Sequence, residues 1–172
     1  MDILVIDLRK SLPFPDNYIW AIYASHVLEH LYLTEAQKLL KEIYRVMEPN
    51  GIIRIVVPDL RAIVLEYSEG KEKNTGSKLA PADRLNQQLS LRSETPPVGS
   101  LIYKIYSIVK DFHSHKWMYD ADSLGYHLKQ AGFTNIRVMQ AHESLIEGIE
   151  KIEQVERIVN GAGICVEAVK PA

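Results

Sequence analysis

Glycine is missing from the first 50 residues of this 172-residue chain, and the earliest is Gly51. A loop that wraps a nucleotide or phosphate needs glycine, because other residues resist positive φ and hold the backbone away from the ligand. A glycine-rich cofactor loop is therefore excluded from residues 1–50. Cysteine is nearly absent as well. Cys165 stands alone, which excludes an internal disulfide, and its apolar surroundings in sequence read as those of a buried, inert thiol. No apolar run approaches the ~20 residues that span a bilayer. An early Asp2 and no basic-then-apolar leader give the expectation of a cytoplasmic protein. Nor is there an excess of basic charge. Lys and Arg number 20 against 22 Asp and Glu, for a net charge of −2. That balance argues against general binding to nucleic acid or to an anionic membrane surface, which rests on clustered cations.

What is present reads as a single domain over residues 1–172 with alternating strands and helices. Residues 3–6 form a short, continuous apolar run rich in branched side chains, as expected of a strand buried on both faces. A second such run covers 18–24. A helix is expected from Thr34, with Gln37 as capping-box partner and Ala36, Leu39, Leu40, Ile43 and Met47 along one face. Pro49-Asn50-Gly51 reads as a turn, and 52–57 as a third strand. Asp59 is placed to cap a helix over 60–69, which Gly70 closes. Strand, helix, buried strand is the pattern of a right-handed parallel unit, so the fold class is α/β.

Residues 71–100 are rich in Lys, Glu, Ser, Thr, Asn and Pro and read as a mobile insertion with one short helix near 82–89. A packed helix is expected over 101–109. Asp120 or Asp122 caps another, with Leu124 and Leu128 facing inward and Gly132 ending it. Strands are expected at 136–139 and 164–169. Between them, Ile146, Ile149, Ile152, Val155 and Val159 mark an amphipathic helix for core or dimer packing.

Set side by side, several stretches resemble the class I S-adenosylmethionine (SAM)-dependent methyltransferases, in particular the small bacterial members. They are Asp7-Leu8-Arg9-Lys10-Ser11-Leu12-Pro13-Phe14-Pro15-Asp16, Tyr23-Ala24-Ser25-His26-Val27-Leu28-Glu29-His30, Tyr44-Arg45-Val46-Met47-Glu48-Pro49-Asn50-Gly51-Ile52, Ile55-Val56-Val57-Pro58-Asp59-Leu60, Gln130-Ala131-Gly132-Phe133 and Val166-Glu167-Ala168-Val169-Lys170. Six weak motifs in the family's order make one strong resemblance. It implies an incomplete Rossmann-like sheet, mostly parallel, with an antiparallel C-terminal strand pair. The family's strand order is 3-2-1-4-5-7-6. On that pattern residues 3–7, 19–24 and 52–57 are strands three, four and five, and 134–139 and 164–169 are the antiparallel pair. Strands one and two, with the glycine loop and the ribose-binding acid, have no counterpart, so the chain reads as N-terminally truncated.

The resemblance implies methyl transfer from SAM to a small acceptor. It places Asp7 at the adenine amino group, counts Leu8 among the cofactor-binding residues, and turns the backbone of Ser25 and His26 to the methionine end of the cofactor. His30, His113 and His115 are the candidate catalytic residues, since a histidine near neutral pKa suits removal of an acceptor's proton. His26-Val27-Leu28-Glu29-His30 also fits an H-x-x-E-H zinc pattern, with two His on one helix face. No third ligand presents itself in the sequence, and no metal is assigned. Without its usual neighbours, strand 19–24 is a bare edge. Three expectations follow for it: residues 3–7 slide in to cover it, two copies pair as a homodimer through this edge or through interface helices, or a partner chain supplies the missing half. A non-catalytic, methyltransferase-like interaction protein is the alternative reading.

Overall fold

The computed structural model describes residues 4–69, 80–91, 114–159 and 163–172. Its centre is a four-stranded sheet in the order β1-β2-β4-β3, formed by β1 (Ile19–Ser25), β2 (Met47–Val57), β3 (Thr134–Met139) and β4 (Ile164–Val169). β1 and β2 are parallel, and β4 runs antiparallel to both β2 and β3. This is the 4-5-7-6 portion of the expected order, with the expected antiparallel pair at the C-terminal end.

The helix between β1 and β2, α1 (Leu33–Val46), buries Ala36, Leu39, Leu40, Ile43 and Val46. Ala36, Leu39, Leu40 and Ile43 form the inward stripe expected from the sequence, but Val46 is its last member, because the helix ends there and Met47, expected on the same face, opens β2. The helix begins one residue before Thr34, and its first-turn acceptor is Glu35 rather than Gln37. The Glu35 carboxylate receives the Tyr32 N–H at 3.0 Å. Against this stripe lie Ile53, Ile55 and Val57 of β2, Val166 and Ala168 of β4, and Leu124 and Leu128 of the helix Ala121–Ala131. Asp120 caps that helix by accepting from Ser123 N–H at 2.8 Å, and Gly132 ends it at φ 107°. Asp59 likewise caps the helix Leu60–Ser68 through Arg61 N–H. Pro81–Gln88 is the short helix expected inside the insertion. Residues 71–79 and 92–100 of that insertion, the helix expected at 101–109 and Gly70 lie outside the described residues.

Three expectations change. Pro49-Asn50-Gly51 is no turn between elements but a bulge inside β2. Ile19 pairs with Met47 while Ala21 already pairs with Ile52, so β2 carries extra residues there. Gly51 is required at this point, because a Cβ would meet Glu48 O at 2.8 Å and Trp20 O at 3.0 Å. Residues 4–7 form no strand. A turn closed by Lys10 N–H to Asp7 O leads the chain away, Ile6 and Leu8 rest on the core, and Val5 is almost wholly exposed. Among the described residues, the outer edge of β1 has no strand partner.

The third change concerns 146–159. Two 3₁₀ turns, Ile149–Lys151 and Val155–Arg157, replace the expected helix. The reason lies in β2. Its second face carries Val56 and, fully buried, Arg54. The Arg54 guanidinium holds Glu153 at 2.8 Å through both Nε and Nη2, and Glu167 at 2.8 Å through Nη1. It also donates to the carbonyls of Gln140 and Glu143. A buried guanidinium without such partners would be very costly. The segment folds so that Glu153 points inward, which a continuous helix with its Glu and Lys residues outward would forbid.

Candidate functional site

β1 ends at Ser25, and the chain reverses at His26, which sits at φ 55°. A non-glycine residue holds positive φ only with support. Here the His26 N–H donates to Val56 O at 2.9 Å, and the ring Nδ1 lies 3.0 Å from Glu29 Oε1. A single 3₁₀ turn, Leu28–His30, follows. It is too short to give His26 and His30 the shared α-helical face suggested by their spacing. Both histidines nevertheless converge on Glu29, with His30 Nε2 at 3.9 Å from the same oxygen.

A distant segment completes the group. The Glu29 carbonyl accepts from Lys116 N–H at 2.7 Å and Trp117 N–H at 3.3 Å. His30 Nδ1 lies 3.4 Å from Ser114 O. These contacts clamp residues 114–117 onto the turn and bring the His115 ring within 5.2 Å of the His30 ring. His113, the third candidate base, lies outside the described residues. Tyr119, fixed by Leu60 N–H to its carbonyl, closes the group from below.

The electrostatics of this group are unusual. Glu29 is 0% exposed, and among the described residues neither carboxylate oxygen has a hydrogen-bond donor in suitable geometry. His26 Nε2, His115 Nδ1 and the Tyr119 hydroxyl are buried and likewise without a partner. Buried polar atoms are nearly always satisfied, so this concentration in one place calls for an explanation. Burial, with the Glu29 charge second, pushes the Tyr119 hydroxyl up to about 12. Burial also holds the His115 imidazole below its ordinary value, against the opposing pull of Glu29.

Beside this group, at the carboxyl end of β1, lies a cavity of about 700 Å³ lined by Asp7, Leu8, His26, His30, Tyr32 and Lys116 among others. Ligands of open α/β sheets sit at this end of the strands, and pockets of roughly 300–1,000 Å³ hold cofactor-sized molecules. The wall from the N-terminal segment is held by Arg45 of α1. Its guanidinium donates to the carbonyls of Leu12 and Phe14 and pairs with Asp16 at 2.6 Å and Glu42 at 2.9 Å. Asp7 is gripped by Arg9, whose Nε and Nη2 lie 2.9 and 3.0 Å from the two carboxylate oxygens. The Arg9 side chain, and then its backbone N–H, lower the Asp7 carboxyl to about 2. Four expected site residues (Asp7, Leu8, His26 and His30) therefore share one cavity, and the His115 ring lies tilted against that of His30. Ser25 does not line the cavity; its hydroxyl accepts from Arg157 at 3.4 Å.

Residues 1–55 match the family model described as a methyltransferase domain. A SAM-dependent methyltransferase from Thermotoga maritima superposes with a TM-score of 0.53 at 17% identity, over 97% of this chain and 63% of that one. The fold is that of the SAM-dependent methyltransferases. A methyltransferase from Haloferax volcanii, solved with its Trm112 activator, gives a TM-score of 0.53 at 13% identity, over 98% of this chain and 61% of that one. A SAM-dependent methyltransferase from Archaeoglobus fulgidus gives 0.50 at 16% identity, over 97% and 66%. The chain thus spans less than two thirds of the length of these methyltransferases. No curated protein matches it in sequence.

Within this methyltransferase fold, Arg54 is an important residue that the sequence motifs do not single out, whereas Glu29 belongs to the H-x-x-E-H pattern and is found fully buried. A signal existed for Arg54: a charge inside an otherwise unbroken apolar run, Ile52-Ile53-Arg54-Ile55-Val56-Val57, requires a buried counter-ion.

Proposed function

We propose that this chain forms the acceptor side and one wall of the cofactor pocket of a SAM-dependent methyltransferase acting on a small molecule. The observation that carries this reading is the cavity at the carboxyl end of β1, where Asp7, Leu8, His26 and His30 meet. Bound SAM supplies an electrophilic methyl group. The Asp7 carboxylate is an acceptor suited to the adenine amino group, and Arg9 fixes its orientation. His26, held at positive φ, presents its ring to the methionine end. His30 is oriented by the Ser114 carbonyl and can take the acceptor's proton through Nε2. Methyl transfer depends above all on positioning, and this turn is clamped from two sides. On this reading, the opposite wall and its glycine loop join at the free edge of β1, from a further segment or a partner chain.

The test is titration of the chain with S-adenosylhomocysteine, followed by NMR of backbone amides. Shifts confined to Asp7, Leu8, His26, His30 and their neighbours are expected, with a Kd between roughly micromolar and millimolar. Asp7→Ala should weaken it at least about tenfold. No shift of these amides at about millimolar ligand would overturn the cofactor assignment.

A second reading rests on the outer edge of β1, where Tyr18 and Trp20 are exposed. An unpaired edge with exposed aromatic side chains is a template for association. Two copies pairing there would join their sheets into a homodimer without catalytic function. A monomer by sedimentation at about 100 µM would remove this reading.

A further inference from the structure

We propose that Glu29, His30 and His115 form a binding site for a divalent transition-metal cation, with Zn²⁺ as the chemically best-matched ion. The site shares His30 with the methyl-transfer reading: with a cation bound, its Nε2 is a ligand and not the acceptor's base, and metal binding is read out without methyl transfer. One ligand atom from each of the three residues lies within 4.8 Å of the others. In a tetrahedral zinc site with bonds near 2.0–2.1 Å, ligand atoms stand roughly 3.4 Å apart, so movements on the order of an ångström close the site.

Three independent observations support it. The first is the Glu29 carboxylate, fully buried, with neither oxygen satisfied by a hydrogen bond among the described residues. A carboxylate buried in this way is stabilised by a cation beside it, and His26 Nδ1 at 3.0 Å from Oε1 faces it outside hydrogen-bonding geometry. The second is the orientation of His30. Its Nδ1 faces the Ser114 carbonyl at 3.4 Å, which favours the proton on that nitrogen and leaves the Nε2 lone pair directed at Glu29. A carbonyl behind the imidazole is the usual support of a metal-ligating histidine. The third is His115, whose Nδ1 is buried and, among the described residues, unpartnered beside His30.

Two imidazoles and one carboxylate are the donor set of open zinc and non-haem iron sites rather than of calcium or magnesium. His30 lines the cavity, so a cation here has its remaining coordination position on the cavity side. His26, in contact with the same Glu29 oxygen, serves as a positioning residue for the carboxylate.

The experiment uses the full chain, stripped with chelator and titrated with Co²⁺, whose visible bands report coordination by protein ligands. Zn²⁺ then competes in calorimetry. One equivalent of Co²⁺ is expected per chain, displaced by Zn²⁺, with thermal stabilisation by either ion. His115→Ala and Glu29→Gln should each weaken binding on the order of 100-fold, and His142→Asn, beside Glu153 on the other face of the sheet, should leave it unchanged. His115 lies in an irregular segment, so its variant keeps the test valid if Glu29→Gln does not fold. Absence of visible bands at about 1 mM Co²⁺ would overturn the site, as would bands that persist undiminished in His115→Ala.

Discussion

Arg54 is the residue on which the second face of the sheet depends. Its guanidinium and the Glu153 carboxylate are both fully buried. Glu153→Gln leaves that guanidinium short of a counter-ion, and a loss of about 3–5 kcal/mol is expected in urea unfolding. The pH dependence has a definite sign. Burial pushes the Glu153 carboxyl up, but the Arg54 hydrogen bonds and charge, with the His142 N–H, outweigh it and hold the group below its ordinary 4.5. A carboxyl depressed in the folded state contributes its full stability above the unfolded value and loses it as pH falls through the folded one. Stability should therefore drop on acidification below about pH 4.5, and Glu153→Gln should flatten that drop. Cys165 gives a second check at this scale. Burial, against the opposing Arg54 charge, pushes its thiol up to about 12, and the side chain is fully buried. A disulfide reagent should leave it unmodified in the native protein and react once urea unfolds the chain.

At the scale of elements, β4 does more than complete the sheet. Lys170, just past its end, buries its ammonium and donates to Asn17 Oδ1 at 2.7 Å and to the carbonyls of Tyr44 and Met47 at 2.8 Å. Two of these acceptors lie at the C-terminal end of α1, where a cation is favoured. Lys170→Met strands them and should cost about 3 kcal/mol. Gly163, leading into β4, has no room for a side chain. A Cβ would lie 2.5 Å from Arg157 O and 2.7 Å from Val57 O, so Gly163→Ala should lower the unfolding midpoint by an amount worth about 1–3 kcal/mol. The strands and α1 were legible in the sequence because their periodicity is set by burial on one core, and the caps at Asp59 and Asp120 because capping is local. The 3₁₀ turns of 149–157 were not legible. The apolar positions there do recur at helical spacing, but the backbone answers to Arg54, far away in sequence. Residues 3–6 have the composition of a buried strand, yet composition supplies no neighbour to pair with. The histidine group shows the same limit. His26, Glu29 and His30 are close in sequence, while His115 joins them through contacts of Lys116 and Trp117 N–H with the Glu29 carbonyl and of His30 with the Ser114 carbonyl.

For the whole molecule, the decisive property is that the described sheet stops at β1 while the cavity opens at the end of that strand. What lies on the far side of β1 therefore sets both the shape of the pocket and the state of association. The backbone itself reports which situation holds. The His26 N–H points to β2, and strand alternation places those of Ala24 and Ile22 on the same side, with those of Tyr23 and Ser25 facing outward. In the isolated chain, deuterium should enter the second set rapidly and the first slowly, a one-in-two pattern along a single strand. Whatever docks on this edge should silence the fast set without altering the slow one, so five consecutive amides can count the strands on either side of them.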